Sequence, residues 1–178
     1  MCDFFVPFCT NQQQTDLMQN KNEFIRVVQE NEGLIYKVAK LYTDSREDEQ
    51  DLYQEIVYQL WKSFDGFRNE SKISTWMYRI ALNTSIAHLN RERKKGKYVP
   101  IDEAPAPPSD NGNTLKAERI EALYAHIKNL NTVEKGIVLL YLEGKSYEEI
   151  AGITGFSVSN VGTRLGRIKQ KLSSQIKK

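Results

Sequence analysis

Eight side chains near the C-terminus, Ser157, Ser159, Asn160, Thr163, Arg164, Arg167, Lys169 and Lys171, are short polar groups or cations with no acid among them. Set along one helix, they offer hydroxyls and an amide to base edges and cations to phosphates, which is the chemistry of recognising a polyanion. The same residues would also suit a helical hairpin with a solvated basic face. A second set, Asp51, Gln54 and Glu55, stands at i, i+3 and i+4 and so shares one helix face. That face is either ordinary polar surface or a dock for a basic partner. Bond-breaking chemistry lacks its parts. His88, His126, Cys2 and Cys9 make no nucleophile–base set, and there is neither a glycine-rich phosphate loop nor zinc-ligand spacing. No enzyme activity, cofactor or metal is expected.

The elements that must carry these residues read as helices. Tyr147 to Leu172 has the spacing of a helix-turn-helix: Ile150, Ala151, Val158, Val161 and Leu165 supply its inner contacts, and Gly155 its sharp turn. Ser146 with Glu149 forms a capping box, Asn131 with Glu134 resembles one, Ser157 caps the last helix, and Gly144 is a helix-ending glycine. Upstream, Phe24, Ile25, Val28, Leu34, Ile35, Val38, Ala39 and Leu41 recur at helical intervals. A helix over Asp51–Phe64 follows, then a polar loop, then a helix from about Thr75 to Arg93. No segment alternates as a strand with hairpin signals. The expected fold is all-α.

Between Lys94 and Asn113 the periodicity stops, and four of the chain's five prolines gather there. The expected organisation is therefore an N-terminal leader over 1–20, a helical domain over 21–95, a flexible linker over 96–114 and a second helical domain over 115–178. Such a linker reaches at most about 70 Å, enough for two lobes to engage separated sites on one DNA. Charge follows the same division. Residues 68–97 carry eight cations against two acids, and residues 156–178 six cations and no acid, inside a 178-residue chain of net charge +2. Residues 20–67 are acidic, with ten acids against six cations. Two basic blocks in a nearly neutral protein mark a polyanion touched at two places. The start of the chain lacks the basic region of a secretory signal, and no run of about 18 apolar residues indicates a membrane span, so a cytoplasmic protein is expected.

The helix-turn-helix alone does not separate a two-domain repressor or activator from other readers of DNA. The first lobe does. Asp51-Leu52-Tyr53-Gln54-Glu55, then Leu60-Trp61 and Phe64-Asp65-Gly66-Phe67-Arg68, resembles the core-polymerase-binding segment of bacterial RNA polymerase sigma factors. Thr75 to Thr84 resembles their promoter-melting segment, and Tyr147 to Leu165 their upstream-element reader. With three motifs in family order, the chain is similar to the small, two-domain, extracytoplasmic-function (ECF) sigma factors.

That resemblance implies a division of roles. Asp51, Leu52, Tyr53, Gln54, Glu55 and Leu60 would dock on the clamp of the polymerase's largest subunit, with the flap as a further contact. Phe67, Arg68, Asn69, Glu70, Ser71 and Lys72 would surround a flipped base of the downstream, −10-like element, with Asn83 nearby. Arg79, Arg91, Arg93, Lys94 and Lys95 would hold phosphates. Trp76, Met77 and Ile80 read as core, while Tyr78 fits either core or DNA contact. The C-terminal set named first would read the −35-like element. An anti-sigma factor is an implied partner. Two departures stand out. Ala87 and Asn90 occupy positions where many members carry an acid and an arginine. Gly162 and Gly166 lie inside the recognition helix at about 1 kcal/mol each relative to Ala, either admitting the backbone close to DNA or reducing side-chain readout.

Overall fold

In the computed structural model, residues 11–68, 70–96 and 122–176 are described. The leader cysteines Cys2 and Cys9, loop residue Asn69 and most of the expected linker, residues 97–114, lie outside them. Helix α1 spans Asn11–Glu30 and α2 Glu32–Tyr42. The break between them falls at Asn31, whose amide donates to the Val27 carbonyl at 2.8 Å, a local bond that competes with helix continuation. The leader expectation ended at residue 20, whereas α1 begins at Asn11. Its first turns are polar and glutamine-rich, so they carry helix propensity without an apolar stripe.

Helix α3, Arg46–Phe64, begins five residues before the expected start. The Ser45 hydroxyl accepts from the Asp48 amide at 3.0 Å, and Glu47, Asp48 and Glu49 place negative charge at the positive end of the helix dipole. Helix α4, Ile73–Lys94, ends with Arg91, Arg93 and Lys94, the complementary arrangement. Together α1–α4 enclose Phe24, Ile35, Val38, Leu52, Ile56, Leu60, Met77 and Ala81.

The second lobe holds α5 (residues 122–128), α6 (Thr132–Leu142), α7 (Tyr147–Thr154) and α8 (Val158–Ile176). The Asn131 side chain caps α6 and the Ser146–Glu149 capping box opens α7. Gly155, at φ +77°, turns the chain from α7 into α8, a conformation that favours glycine. Every residue from Glu134 to Leu140 is buried. That stretch of α6 is covered from several sides: α7 and α8 pack on the helix from its own lobe, and α2 packs on it from the other, while Tyr141 and Leu142 at its end stay exposed.

The expectation of two tethered lobes therefore meets a finding about their arrangement. They pack against each other, α2 on α6 and α4 on α7, and their apolar residues form one continuous core. Gly136 allows the approach: a Cβ there would lie 3.1 Å from the Tyr42 hydroxyl and 3.3 Å from Leu82 Cδ2.

Candidate nucleic-acid and partner interfaces

Helices α7 and α8 form the expected helix-turn-helix. Ile150, Val161, Leu165 and Ile168 are buried between them and α6, which leaves the opposite side of α8 to solvent. Ser157, Ser159, Asn160, Thr163 and Arg167 are exposed there. The Ser157 hydroxyl accepts from the Asn160 amide N–H at 3.3 Å, confirming the expected cap. Arg164 is held before any ligand arrives. Its Nε donates to Asn160 Oδ1 at 2.7 Å, and its guanidinium lies 4.6 Å from the centroid of the Phe156 ring. Phe156 was not among the expected site residues. Its signal was an aromatic in the turn, just before a cap.

Two of the expected DNA-facing cations have partners inside the protein. Lys169 Nζ lies 4.2 Å from the Tyr141 ring centroid and donates to its hydroxyl at 3.0 Å. Lys171 Nζ donates to both carboxylate oxygens of the buried Glu134, at 2.7 and 2.9 Å. Lys171 therefore ties α8 to α6, and that structural bond competes with any phosphate.

Of the Gly162 and Gly166 alternatives, the local geometry distinguishes the two positions. A Cβ on Gly162 would rest in ordinary contact with the Tyr147 ring at 3.5 Å, whereas Gly166 faces open space.

In the downstream block, Phe67 is half-buried with its ring tilted on Trp76, 5.0 Å between centroids, and Trp76 in turn meets Phe64 edge-on at 6.2 Å. Arg68, Glu70, Ser71 and Lys72 are exposed beside this stack, and Asn83, Arg93 and Lys94 are exposed along α4. Met77 is fully buried, as core. Tyr78 resolves to the interior: it is buried at the lobe boundary, its hydroxyl 3.3 Å from Glu143 Oε2. Burial first, and then the neighbouring Glu143 carboxylate, push its phenol far above the ordinary range. Arg79 also turns to the second lobe, where its Nη2 donates to the Gly152 carbonyl at 2.8 Å.

On α3, Asp51 and Gln54 are exposed and Tyr53 and Glu55 half-buried, so the acidic face exists. Leu52 and Leu60 need correction. Both are fully buried, on the side of the helix turned away from that face, and they hold α3 to the core instead of meeting a partner. The face continues where sequence reasoning did not follow it. Tyr58, one turn beyond Gln54, is 60% exposed, and Trp61 is 41% exposed against Phe24, with Ile25 of α1 at 42%. Exposed aromatics beside a charged stripe have the composition of a protein–protein interface.

Among the described residues, no group of three or more His, Cys, Asp or Glu is placed to hold a metal ion, and no helix is long and apolar enough to cross a membrane.

The comparisons with known proteins fall on the same two lobes. Residues 27–95 match the family model described as Sigma-70 region 2, and residues 120–172 match Sigma-70, region 4. The chain is 32% identical over 157 residues to the ECF RNA polymerase sigma-E factor of Haemophilus influenzae, a match covering 79% of this chain and 82% of that one. It is 30% identical over 156 residues to the ECF RNA polymerase sigma-E factor of Escherichia coli K12, covering 79% and 81%. In fold it is similar to the sigma factor RpoE of Bartonella quintana, solved with the anti-sigma factor NepR, at TM-score 0.67 and 20% identity over 88% of this chain and 96% of that one. CnrH, solved in complex with the cytosolic domain of CnrY, is similar at TM-score 0.64 and 23% identity over 88% and 89%.

Proposed function

The chain belongs to the sigma-70 family as an ECF sigma factor of the sigma-E kind, and we propose how its residues divide the work. As a sigma factor it binds core RNA polymerase and directs promoter-specific initiation of transcription. It is not an enzyme; it lends promoter choice to the catalytic polymerase.

The division proposed is this. Asp51, Tyr53, Gln54 and Glu55, extended by Tyr58 and Trp61, dock on the polymerase clamp, where an acidic rim suits a basic surface and the aromatics supply buried area. The Phe67–Lys72 loop and Asn83 capture a base of the −10-like element as the strands part, with Arg93 and Lys94 on the backbone. The helix α8 enters the major groove of the −35-like element, where Ser159, Asn160, Thr163 and Arg164 meet base edges and Arg167 a phosphate. The second lobe also docks on the flap. The work takes place in the cytoplasm.

The observation that carries the reading is the two-sidedness of α8. Val161, Leu165, Ile168 and Leu172 are buried on the lobe, while the opposite face, from Ser157 to Arg167, exposes polar groups and a cation without an acid, together with Val158, which was expected as an inner contact and is 41% exposed. An anti-sigma factor is proposed as the regulator, since RpoE and CnrH, both similar in fold, were solved with the partners NepR and CnrY.

Run-off transcription with purified core polymerase, with and without the protein, on genomic promoter fragments from its source tests this. New specific transcripts are expected, and their start sites give the recognised elements. Absence of transcripts together with absence of a complex with core on gel filtration would overturn it.

A further inference from the structure

We propose that Phe156 and Asn160 are positioning residues for base recognition: together they aim the Arg164 guanidinium end-on, so that α8 selects a guanine at the position Arg164 faces in the upstream element. The inference rests on the placement of α8 in the major groove proposed above and deepens it from a contact to a preference for one base.

Phe156 follows Gly155, whose left-handed conformation ends α7, and precedes Ser157, the cap of α8. Its ring is half-buried against the apolar core, so it is a fixed platform in the turn. Arg164 lies in the second turn of α8, and its guanidinium carbon stands 4.6 Å from the centroid of that ring. A planar cation near an aromatic ring is held by the ring's quadrupole. One turn back along the helix, Asn160 Oδ1 accepts from Arg164 Nε at 2.7 Å. Two restraints of different kinds, a ring against the guanidinium and a hydrogen bond at its Nε edge, thus hold an otherwise flexible side chain in one pose before DNA arrives.

These bonds decide which groups remain for a base. Nε can only donate, so the Asn160 atom facing it is the amide oxygen. Asparagine reads adenine with its oxygen and nitrogen together; here the oxygen is turned to Arg164, which leaves Nδ2, a donor, for the groove. The Thr163 hydroxyl donates to the Ser159 carbonyl at 3.0 Å. Arg164 Nη1 and Nη2 donate to no other group among the described residues. With Nε engaged, a side-on approach through Nε and one Nη is closed, and the two Nη groups form the presenting fork. Guanine offers that fork two acceptors, O6 and N7. Adenine places the N6 amine beside N7, so one N–H of the fork would face another donor. Freed from the ring and the amide, the same cation could swing to a phosphate, a contact that supports affinity but carries no sequence information.

Holoenzymes of core polymerase with the parent, Phe156→Leu, Phe156→Tyr, Asn160→Ala or Arg164→Lys are titrated by gel shift. The fragments carry each base in turn at every position of the upstream element that run-off start sites define. The parent should prefer guanine over adenine by about tenfold or more at one position. Arg164→Lys should lose most of that preference, since an ammonium has no fork. Phe156→Leu and Asn160→Ala should each lower the guanine-to-adenine ratio at that position by roughly two- to fivefold. Phe156→Leu should leave the ratios at the other positions, and the affinity for a fragment without the element, as in the parent. Phe156→Tyr keeps the ring and should restore the parent ratio. A loss in Phe156→Leu spread evenly over all positions, or one that Phe156→Tyr does not restore, would reduce Phe156 to a support of the turn and overturn the proposal. An Arg164-dependent preference for another base would overturn it as well. So would an unchanged ratio in Asn160→Ala, a substitution at an exposed side chain that leaves the packing intact. A parent that binds neither core nor promoter would instead overturn the sigma reading, and the base preference would fall with it.

Discussion

Arg91, in the last turn of α4, donates from Nη2 to both carboxylate oxygens of Glu55 on α3, at 2.6 and 2.5 Å. His88 Nδ1 lies 3.4 Å from the same carboxylate. One residue expected from the sequence to hold phosphate and one proposed for polymerase therefore share a single ion pair. The acidic face of α3 and the basic end of α4 are one electrostatic unit, and a partner that draws on Glu55 frees Arg91.

The pair has a pH signature. Burial raises the Glu55 carboxyl, but the hydrogen bonds and charges of Arg91 and His88 outweigh it and hold the group below its ordinary 4.5. A depressed folded pKa contributes stability above the unfolded value and loses it as pH falls through the folded one. Glu55→Gln should therefore be less stable than the parent at pH 7 and lose less on acidification below about pH 4.5. Urea midpoints at pH 7 and across the acid limb check this; identical acid limbs would mean the pair contributes nothing.

Leu52 and Asp51 are neighbours in sequence with opposite duties. Leu52→Ala empties a fully buried site and should cost about 2–5 kcal/mol of stability. Asp51→Ala, on the exposed side, should change stability by no more than about 0.5 kcal/mol. Its effect should appear in the affinity for core polymerase, and Tyr58→Ala should weaken that affinity further, by about tenfold. Equal core affinity in parent, Asp51→Ala and Tyr58→Ala, each shown folded by circular dichroism, would move the docking face elsewhere.

The local geometry of the site was legible because it depends on residues a few positions apart. Ser146 with Glu149, Asn131 with Glu134, and Gly155 at φ +77° all stand as the sequence implied. The start of α3 was missed because apolar periodicity begins only at Leu52, while the cap that sets the boundary is the Ser45–Asp48 pair. Leu52 and Leu60 were assigned to the polymerase because a motif runs along the chain, whereas burial follows the helical turn. The packing of lobe on lobe depends on contacts such as Tyr42 with Thr132, 90 residues apart. A faint signal existed: the apolar run from Ile137 to Leu142 asks for more cover than one small lobe supplies.

Lys171 was expected to meet DNA, yet it neutralises Glu134, whose side chain is only 10% exposed. Removing the lysine leaves a carboxylate deep in the lobe without its partner. Lys171→Ala should cost about 1–3 kcal/mol of stability. The salt dependence of promoter binding, measured at a temperature where the variant is fully folded, should stay as in the parent. A slope lower by about one unit would return Lys171 to the phosphate contacts.

Arg164 and Arg167 carry the recognition proposed for α8 in different ways. Arg164 is already oriented by Asn160 and the Phe156 ring, so little conformational freedom remains to be lost on meeting a base edge. Arg167 is exposed and suited to a phosphate. The double variant Arg164→Ala/Arg167→Ala should weaken recognition of the upstream element by about 1–3 kcal/mol for the base contact and flatten the salt dependence by about one unit for the phosphate. Neither side chain takes part in the α2–α6 or α4–α7 packing or in the α3 face, so affinity for core polymerase should be unchanged. Binding of the double variant to core on gel filtration, alongside gel-shift titrations of the holoenzyme at several salt concentrations, separates the two effects. Loss of core binding would contradict the division between the lobes, and unchanged upstream recognition would remove both arginines from the reader.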